Sequence, residues 1–273
     1  MALVPFPGSK GAQPAPDYEP DDDLELDDDA AGGKMSFLEH LDELRKRLLR
    51  AILSVGAGFV VALFFIDRIF GFVMRPLQEV LPNGGRLIYT EPTEAFLLQL
   101  KVAALAGLVL AAPMVMWQVW LFIAPGLYAH EKRFAIPFVF FSSVFFIGGA
   151  AFAHFVIFPA AWAFLASFTT DYMEFMPKIS STFGLYAKML IAFGIIFQMP
   201  AIVFALARMG VVTARFLVRH IKYAVLAIFI IAAIASPTGD PVNQLLFAAP
   251  MIVLYAVSIL IAWVFGRRKP SNS

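Results

Sequence analysis

The sequence predicts an all-α integral membrane protein, with six transmembrane helices in a bent, cup-shaped bundle. Hydrophobic residues make up 60% of the 273 residues, and 29 positions are Phe, a composition typical of membrane proteins. Residues 134–170 contain no Asp, Glu, Lys or Arg. A helix needs roughly 20 apolar residues to cross about 30 Å of hydrocarbon, so long uncharged runs of this kind suit membrane spans.

Each long uncharged run defines one predicted span. The spans are placed at residues 49–66, 102–123, 135–158, 184–206, 221–236 and 243–263. The fifth is short, because its seventeen uncharged residues rise only about 26 Å at roughly 1.5 Å each, which predicts a locally thinned bilayer. Prolines remove backbone donors, so bends are expected at Pro113, Pro137, Pro159, Pro200 and Pro250.

The distribution of Lys and Arg predicts the orientation. From Lys34 onward, fourteen of these residues fall on the side of both termini and six fall on the other side. Cytoplasmic segments carry the excess of positive charge, so both termini are expected in the cytoplasm. The outer side then holds two loops, at 67–101 and 159–183, and a tight turn at 236–241.

Charge also divides the chain into three parts. Nine acids lie between Asp17 and Asp29 among almost no large apolar residues, which predicts a disordered acidic cytoplasmic tail over residues 1–33. This tail lacks the basic start and apolar core of a signal peptide. Residues 34–266 are predicted to form the six-helix membrane domain, and residues 267–273 a basic cytoplasmic tail.

The residue types that enzymes use are sparse. There is no Cys, which excludes disulfides, thiolate metal sites and Cys nucleophiles. The four His residues are scattered, and no phosphate-binding Gly-rich motif is present. We therefore expect a non-enzymatic protein without cofactor, metal or nucleic acid, whose surroundings are the lipid bilayer.

An amphipathic helix is predicted just before the first span. Leu41, Leu44 and Leu48 share one face, and Glu43 lies about 200° around the helix from Leu41 at about 100° per residue. One interpretation is an interfacial helix in which Glu43 and Arg47, four residues apart, merely balance charge. The other is a carboxylate presented to a cationic ligand.

A second candidate carboxylate is Glu131. It is the only acid in the short cytoplasmic loop between the second and third spans. Lys132 and Arg133 follow it directly, so a local ion pair is one interpretation and ligand binding is the other.

Four strings carry a resemblance to a known family: HLDELRKRL at 40–48, QVWLFIAPGLY at 118–128, HEKR at 130–133 and FGIIFQMP at 193–200. In order and spacing they resemble TatC, the multispanning receptor subunit of the twin-arginine protein translocase. The resemblance is collinear from about residue 36 to residue 265 and leaves out the acidic tail. It implies a six-helix, cup-shaped fold with both termini cytoplasmic.

The resemblance implies a receptor that binds twin-arginine signal peptides of folded precursor proteins at its cytoplasmic face. With single-span TatA and TatB partners it would mediate export across the bacterial cytoplasmic (inner) membrane, using the proton-motive force, and it would self-associate. Glu43 and Glu131 match the family carboxylates that bind the arginine pair, and Arg45 matches a position in the same patch. Positions that shape the site or the bundle are matched by Pro76, Phe96, Gln118, Phe122 and Pro125. Phe and Pro can equally be packing residues there.

Two polar sites remain within or beside the membrane. Gln198 matches a position where relatives commonly carry Glu; its amide can satisfy a carbonyl freed by the Pro200 kink, but it cannot supply charge. Ser236 and Gln244 match a polar patch where the single-span partners dock. Asn243 and Gln244 can instead cap the sixth helix.

A rival function is a proton- or ion-coupled small-molecule transporter that uses Gln198 and His154. Such a transporter needs a central polar pathway, whereas the spans contain very few ionisable residues.

Overall fold

The computed structural model describes residues 37–79, 81, 87–123, 135–170, 172, 175–236 and 238–266. This part of the chain is almost entirely helical. Its helices are α1 (Phe37–Phe64), α2 (Ile66–Glu79), α3 (Glu94–Ile123), α4 (Ala135–Phe152), α5 (Phe158–Ala166), α6 (Ile179–Ile196), α7 (Met199–Arg208), α8 (Ala214–Arg219), α9 (Ile221–Ala235) and α10 (Pro241–Phe265). One π-helical turn, Ala153–Ile157, joins α4 to α5.

Within the described residues, five segments are long and apolar enough to cross a membrane: Glu39–Phe64, Glu94–Ile123, Ile136–Ala166, Ile179–Arg208 and Pro241–Phe265. The sixth apolar helix, α9, has only fifteen residues and rises about 22 Å. The all-α membrane fold and the short fifth span are therefore confirmed.

The boundaries differ from the prediction at three places. The amphipathic stretch and the first span form one unbroken 28-residue helix, α1. The segment 67–101, predicted as a loop, contains α2 and the first turns of α3, because Val73, Met74 and Leu77 give α2 one buried face. The segment 159–183 likewise contains most of α5 and the start of α6.

Two of the five prolines coincide with interruptions of a span. The fourth span breaks at Phe197 and Gln198, and Pro200 follows two residues later in the first turn of α7. The third span contains the π-helical turn, which ends two residues before Pro159. Pro113 and Pro250 lie inside helices that continue past them.

The largest buried cluster contains several large aromatic side chains. Phe158 of α5, Tyr186 and Phe193 of α6 and Phe247 of α10 are all at most 2% exposed. The Phe193 and Phe247 ring centroids are 5.2 Å apart, and so are those of Phe158 and Tyr186. The outer surface is also apolar, as expected against lipid, with exposed fractions of 82% at Phe64 and 81% at Ile234.

Helices α1 and α3 cross closely at two glycines. A Cβ added to Gly58 would lie 2.5 Å from the Gly107 carbonyl oxygen, and one added to Gly107 would lie 2.5 Å from the Phe59 nitrogen. Small residues let membrane helices approach through their backbones. This crossing fixes the register of the antiparallel pair.

Successive spans run in opposite directions, so the start of one span and the end of the next lie at the same end of the bundle. The Glu43 end carries the start of α1, the end of α3, the end of α7, α8 and the end of α10. The Glu94 end carries α2, the start of α3, the end of α5 and the turn between α9 and α10.

Candidate functional site

The largely buried carboxylate of Glu43 is the centre of the candidate site. Its side chain is only 15% exposed, whereas Leu41, Leu44 and Leu48 on the other face are 43%, 42% and 56% exposed. Arg47 Nη2 donates a hydrogen bond of 3.0 Å to Glu43 Oε1. Glu43 Oε2 is buried and accepts no hydrogen bond from the residues that the structure describes.

Helix α3 lies beside this face of α1. His40, one turn before Glu43, stacks on Phe122 with ring centroids 4.5 Å apart. Glu43 is fifteen residues before Gly58 in α1, and Phe122 is fifteen residues after Gly107 in α3. Phe122 therefore lies level with Glu43 and holds this turn of α1 against α3.

Gln118 lies one turn deeper in the bundle than Phe122. Arg47 is eleven residues before Gly58 in α1, and Gln118 is eleven residues after Gly107 in α3, so the two lie at the same level. Gln118 is 4% exposed, and among the described residues its Oε1 has no hydrogen-bond partner. Arg47 Nε is also buried without an acceptor there. Two unpaired polar groups thus accompany the unpaired oxygen of Glu43.

Arg45 does not point into this site. It lies two residues from Glu43, about 200° around α1, and is exposed. Glu131 and Pro125 lie outside the described residues, as do the tails at 1–33 and 267–273.

Pro76 and Phe96 are far from Glu43 along the bundle. Pro76 is buried inside α2, and Phe96 is 64% exposed in the first turn of α3. Both lie at the Glu94 end, so the structure does not bring them close to Glu43, Gln118 or Phe122.

Gln198 connects two spans. Its Nε2 donates to the backbone carbonyl of Ser142 in α4, at 2.9 Å. The expected acceptor, a carbonyl freed on its own helix by Pro200, is not the acceptor found. The amide instead ties the break between α6 and α7 to the third span.

The turn between α9 and α10 is organised by Asp240. Its Oδ1 accepts hydrogen bonds of 2.9 Å from the Val242 and Asn243 amides, so Asp240 caps α10. Neither Asn243 nor Gln244 is the cap. Gln244 Nε2 donates to the Phe229 carbonyl of α9 at 3.0 Å, and Ser236 ends α9.

One buried acid was missed in the sequence. Glu94 is 6% exposed and accepts hydrogen bonds from the Thr90 amide at 3.0 Å and the Ser180 amide at 3.2 Å. Lys178 Nζ lies 3.6 Å from its Oε2. Glu94 thus ties α3 to the start of α6 at the end opposite Glu43. An acid opening a long apolar run, just after Thr93, is the signal that would have found it.

Gln198 and His154, the two residues of the transporter hypothesis, have different partners and do not share a cavity. His154 Nδ1 and the Tyr186 hydroxyl are 2.9 Å apart, beside a cavity of about 310 Å³ whose other lining residues are apolar. Gln198 does not line this cavity. In the described part of the chain, no cluster of three His, Asp or Glu residues suits a metal ion.

The chain is similar to known proteins over most of its length. Residues 39–250 match the family model described as Sec-independent protein translocase protein (TatC). The Sec-independent protein translocase protein TatC of Koribacter versatilis is 42% identical over 262 residues, 94% of this chain and 96% of the relative. That of Desulforapulum autotrophicum is 42% identical over 239 residues, 88% of either chain.

Solved structures agree with the sequence relatives. A crystal structure of the twin-arginine translocase receptor TatC is 35% identical, with a TM-score of 0.70, and the similarity covers 82% of this chain and 97% of that one. A second crystal structure of that receptor, in DDM, gives a TM-score of 0.73 at 35% identity, over 82% of this chain and 99% of that one. The chain belongs to the TatC family.

Proposed function

We propose that this chain is the receptor that reads the arginine pair of twin-arginine signal peptides at its Glu43 end. Membership in the TatC family makes it a non-enzymatic component of a Sec-independent protein translocase. The observation that carries the proposal is the largely buried Glu43 carboxylate. One of its oxygens accepts a hydrogen bond from Arg47, and the other has no partner among the described residues.

The chemistry of this carboxylate suits arginine. A guanidinium is a planar fork of donors, and a carboxylate accepts two parallel hydrogen bonds from it. An entering guanidinium can donate to the unpaired Oε2 of Glu43, and Gln118 Oε1 offers a neutral acceptor one turn deeper. A lysine ammonium lacks the planar fork, so it cannot reproduce the paired bonds. This difference is the proposed basis of the preference for arginine.

The second arginine requires a second carboxylate, which we assign to Glu131. It is one residue past the HEKR histidine in the string that matches the family, and it follows α3 by eight residues. Phe122 and His40 hold α1 and α3 together near Glu43. Arg45 and Pro125 would contribute to the surface around the site rather than to the arginine contacts.

The surroundings complete the proposal. The excess of Lys and Arg at the Glu43 end supports a cytoplasmic position for that end and for both termini. The membrane would be the inner membrane of a bacterium. Folded precursor proteins would be exported with TatA-type and TatB-type partners, at the expense of the proton-motive force. The receptor would also self-associate.

Peptide binding tests the assignment. Glu43→Gln and Glu131→Gln keep the side-chain size but remove the charge, and hydrogen bonds to charged groups contribute about 1.5 to 3 kcal/mol. Each variant should therefore bind an Arg-Arg signal peptide on the order of tenfold or more weakly. The measurement is the Kd of Arg-Arg and Lys-Lys peptides for the purified full chain.

The matched control is Glu79→Gln, an equal loss of charge at the Glu94 end, where Glu79 pairs with Arg75 at 3.1 Å. It should preserve both affinity and preference. The carboxylate assignment is wrong if Glu43→Gln and Glu131→Gln both retain the wild-type preference for Arg-Arg over Lys-Lys.

A further inference from the structure

We propose that the groove between α8 and α10 binds an anionic phospholipid from the membrane leaflet at the Glu43 end. The groove has a volume of about 600 Å³ and is lined by two arginines, an indole and apolar side chains. No step of the proposed peptide recognition uses it.

Two arginines supply the headgroup contacts. Arg215 and Arg219 are one turn apart on α8, and both are exposed. Neither forms an ion pair with a residue that the structure describes, and the sequence from Phe175 to Gly239 contains no acid. A lipid phosphate would supply acceptor oxygens for the guanidinium groups of these two arginines.

Helix α8 is held firmly enough to form a site. Tyr255 of α10 donates its hydroxyl hydrogen to the Leu217 carbonyl at 2.9 Å. Leu217 is 8% exposed and packs in a cluster with Ala262 and Ile259 of α10. The α8 backbone is thus fixed against α10, which keeps Arg215 and Arg219 at the lining of the groove.

The floor of the groove suits an acyl chain. Val218, Ala256, Ile259 and Leu260 line it, and Leu260 is 61% exposed. Trp263, in the last turn of α10, is 75% exposed. Trp is enriched where hydrocarbon meets headgroups, so its position marks the depth of the interface.

This combination favours a lipid over an acidic protein segment. The groove combines two exposed guanidinium groups with an apolar floor, which are the two chemistries that the headgroup and the acyl chain of an anionic phospholipid match. An acidic segment would satisfy the arginines but would leave the apolar floor and the exposed Leu260 uncovered.

Lipid titration tests the proposal. The purified full chain in neutral detergent is titrated with phosphatidylglycerol, and retained lipid is counted by native mass spectrometry. We expect saturable retention of phosphatidylglycerol, and weak retention of phosphatidylcholine or soluble glycerol phosphate. Arg215→Gln and Arg219→Gln should each raise the half-saturating concentration about fivefold, the factor expected per basic side chain at an anionic surface.

Two further variants separate charge from shape. Arg68→Gln with Lys101→Gln removes two charges at the Glu94 end and should leave the titration unchanged. Ala256→Trp keeps both arginines but fills the groove, so it should also weaken phosphatidylglycerol retention. Signal-peptide binding is measured in parallel, so a failure here is distinguishable from a failure of the peptide receptor proposal.

The proposal is overturned if the double variant of Arg215 and Arg219 retains as much phosphatidylglycerol as the wild type. Equal retention of phosphatidylcholine overturns it as well. If an acidic peptide binds at Arg215 and Arg219 in the absence of lipid and phosphatidylglycerol does not compete, the groove is a protein docking site instead.

Discussion

One amide, that of Gln198, joins the fourth span to the third. Its bond of 2.9 Å to the Ser142 carbonyl is intramembrane, where hydrogen bonds between helices average about 0.6 kcal/mol and reach about 1.7 kcal/mol. Gln198→Leu removes the bond at similar volume. We expect the free energy of unfolding to fall by about 0.6 to 1.7 kcal/mol, measured by reversible unfolding in mixed detergent.

Ser143→Ala is the comparison for this variant. The Ser143 hydroxyl donates to the Val139 carbonyl within α4, at 2.7 Å, and joins no second helix. Its loss should cost less than the loss of the Gln198 amide. Equal costs for the two variants would show that the bond between spans has no special weight.

Asp240 makes the turn between α9 and α10 sensitive to acid. The Thr238 hydroxyl, followed by the Asn243 amide, lowers the pKa of Asp240 from 3.8 to about 2. A lowered pKa means that the ionised form is favoured by the fold. The stabilisation is therefore present above pH 3.8 and is lost as the pH falls through about 2.

The variant Asp240→Asn tests the direction of this pH dependence of stability. The variant should have a lower Tm than the wild type at pH 7, because a neutral amide side chain is a weaker acceptor for the Thr238 hydroxyl and the two amides. The difference in Tm should shrink between pH 3.8 and about 2, as the wild type is protonated. The control is Asp67→Asn, an exposed acid in the first turn of α2. A difference that is constant over this pH range would contradict the role of the ionised carboxylate.

The spacing of the leucines along α1 was sufficient to predict that Glu43 lies on the opposite face of the helix. The Leu stripe and Glu43 lie on opposite faces of α1, and the four-residue spacing to Arg47 became the 3.0 Å ion pair. Contacts between distant residues were not predictable in this way. The stack of His40 on Phe122 and the bond from Gln198 to Ser142 depend on how helices pack, which no local pattern specifies.

The close crossing of α1 and α3 sets the geometry of the site. Gly107→Ala would place a methyl group against the backbone of Phe59, and the helices would have to separate. Overpacking of this kind costs about 1 to 3 kcal/mol. We expect that loss in the free energy of unfolding, together with weaker signal-peptide binding, because Glu43 and Phe122 shift relative to each other.

Gly56→Ala is the matched control on α1. An added Cβ there meets nothing within 4 Å, and Ala is the better helix former by about 1 kcal/mol. This variant should be neutral or slightly stabilising. If Gly107→Ala were equally tolerated, the crossing would not control the distance between α1 and α3.

The sequence predicted spans better than the elements between them. A helix that crosses a membrane needs about 20 apolar residues and internal backbone hydrogen bonds. A long uncharged run in the sequence is enough to recognise it. Helix α2 is different, because its 14 residues include Asp67, two Arg, Glu79 and a proline. Only its buried face of Val73, Met74 and Leu77 distinguishes it from a loop.

At the level of the whole bundle, each end has its own polar structure. At the Glu43 end, one carboxylate oxygen of Glu43 has no hydrogen-bond partner among the described residues, which suits a group that binds a ligand. At the Glu94 end, Glu94 is fully bonded by Thr90, Ser180 and Lys178, which suits a structural role. The number and order of spans followed from composition, but this contrast between the ends depends on contacts between residues as far apart as Glu94 and Ser180.

The short fifth span supports a prediction about partner assembly. Ser236 ends α9, its buried hydroxyl oxygen has no partner among the described residues, and Gln244 bonds the Phe229 carbonyl nearby. If this polar spot docks the single-span partners, replacing Ser236 and Gln244 with Leu should weaken site-specific crosslinking to TatA-type and TatB-type proteins. Polar contacts between membrane helices contribute about 0.6 to 2 kcal/mol, so a partial loss, about threefold or more, is expected.

Crosslinking must be compared with peptide binding in the same variant. Ser236 and Gln244 lie at the end of the bundle opposite Glu43, so the affinity for an Arg-Arg peptide should persist. Ser236→Ala alone separates the hydroxyl from the Gln244 bond that joins α9 to α10. Loss of both activities would indicate that the fold was damaged, and unchanged crosslinking in the double variant would remove this spot from partner docking.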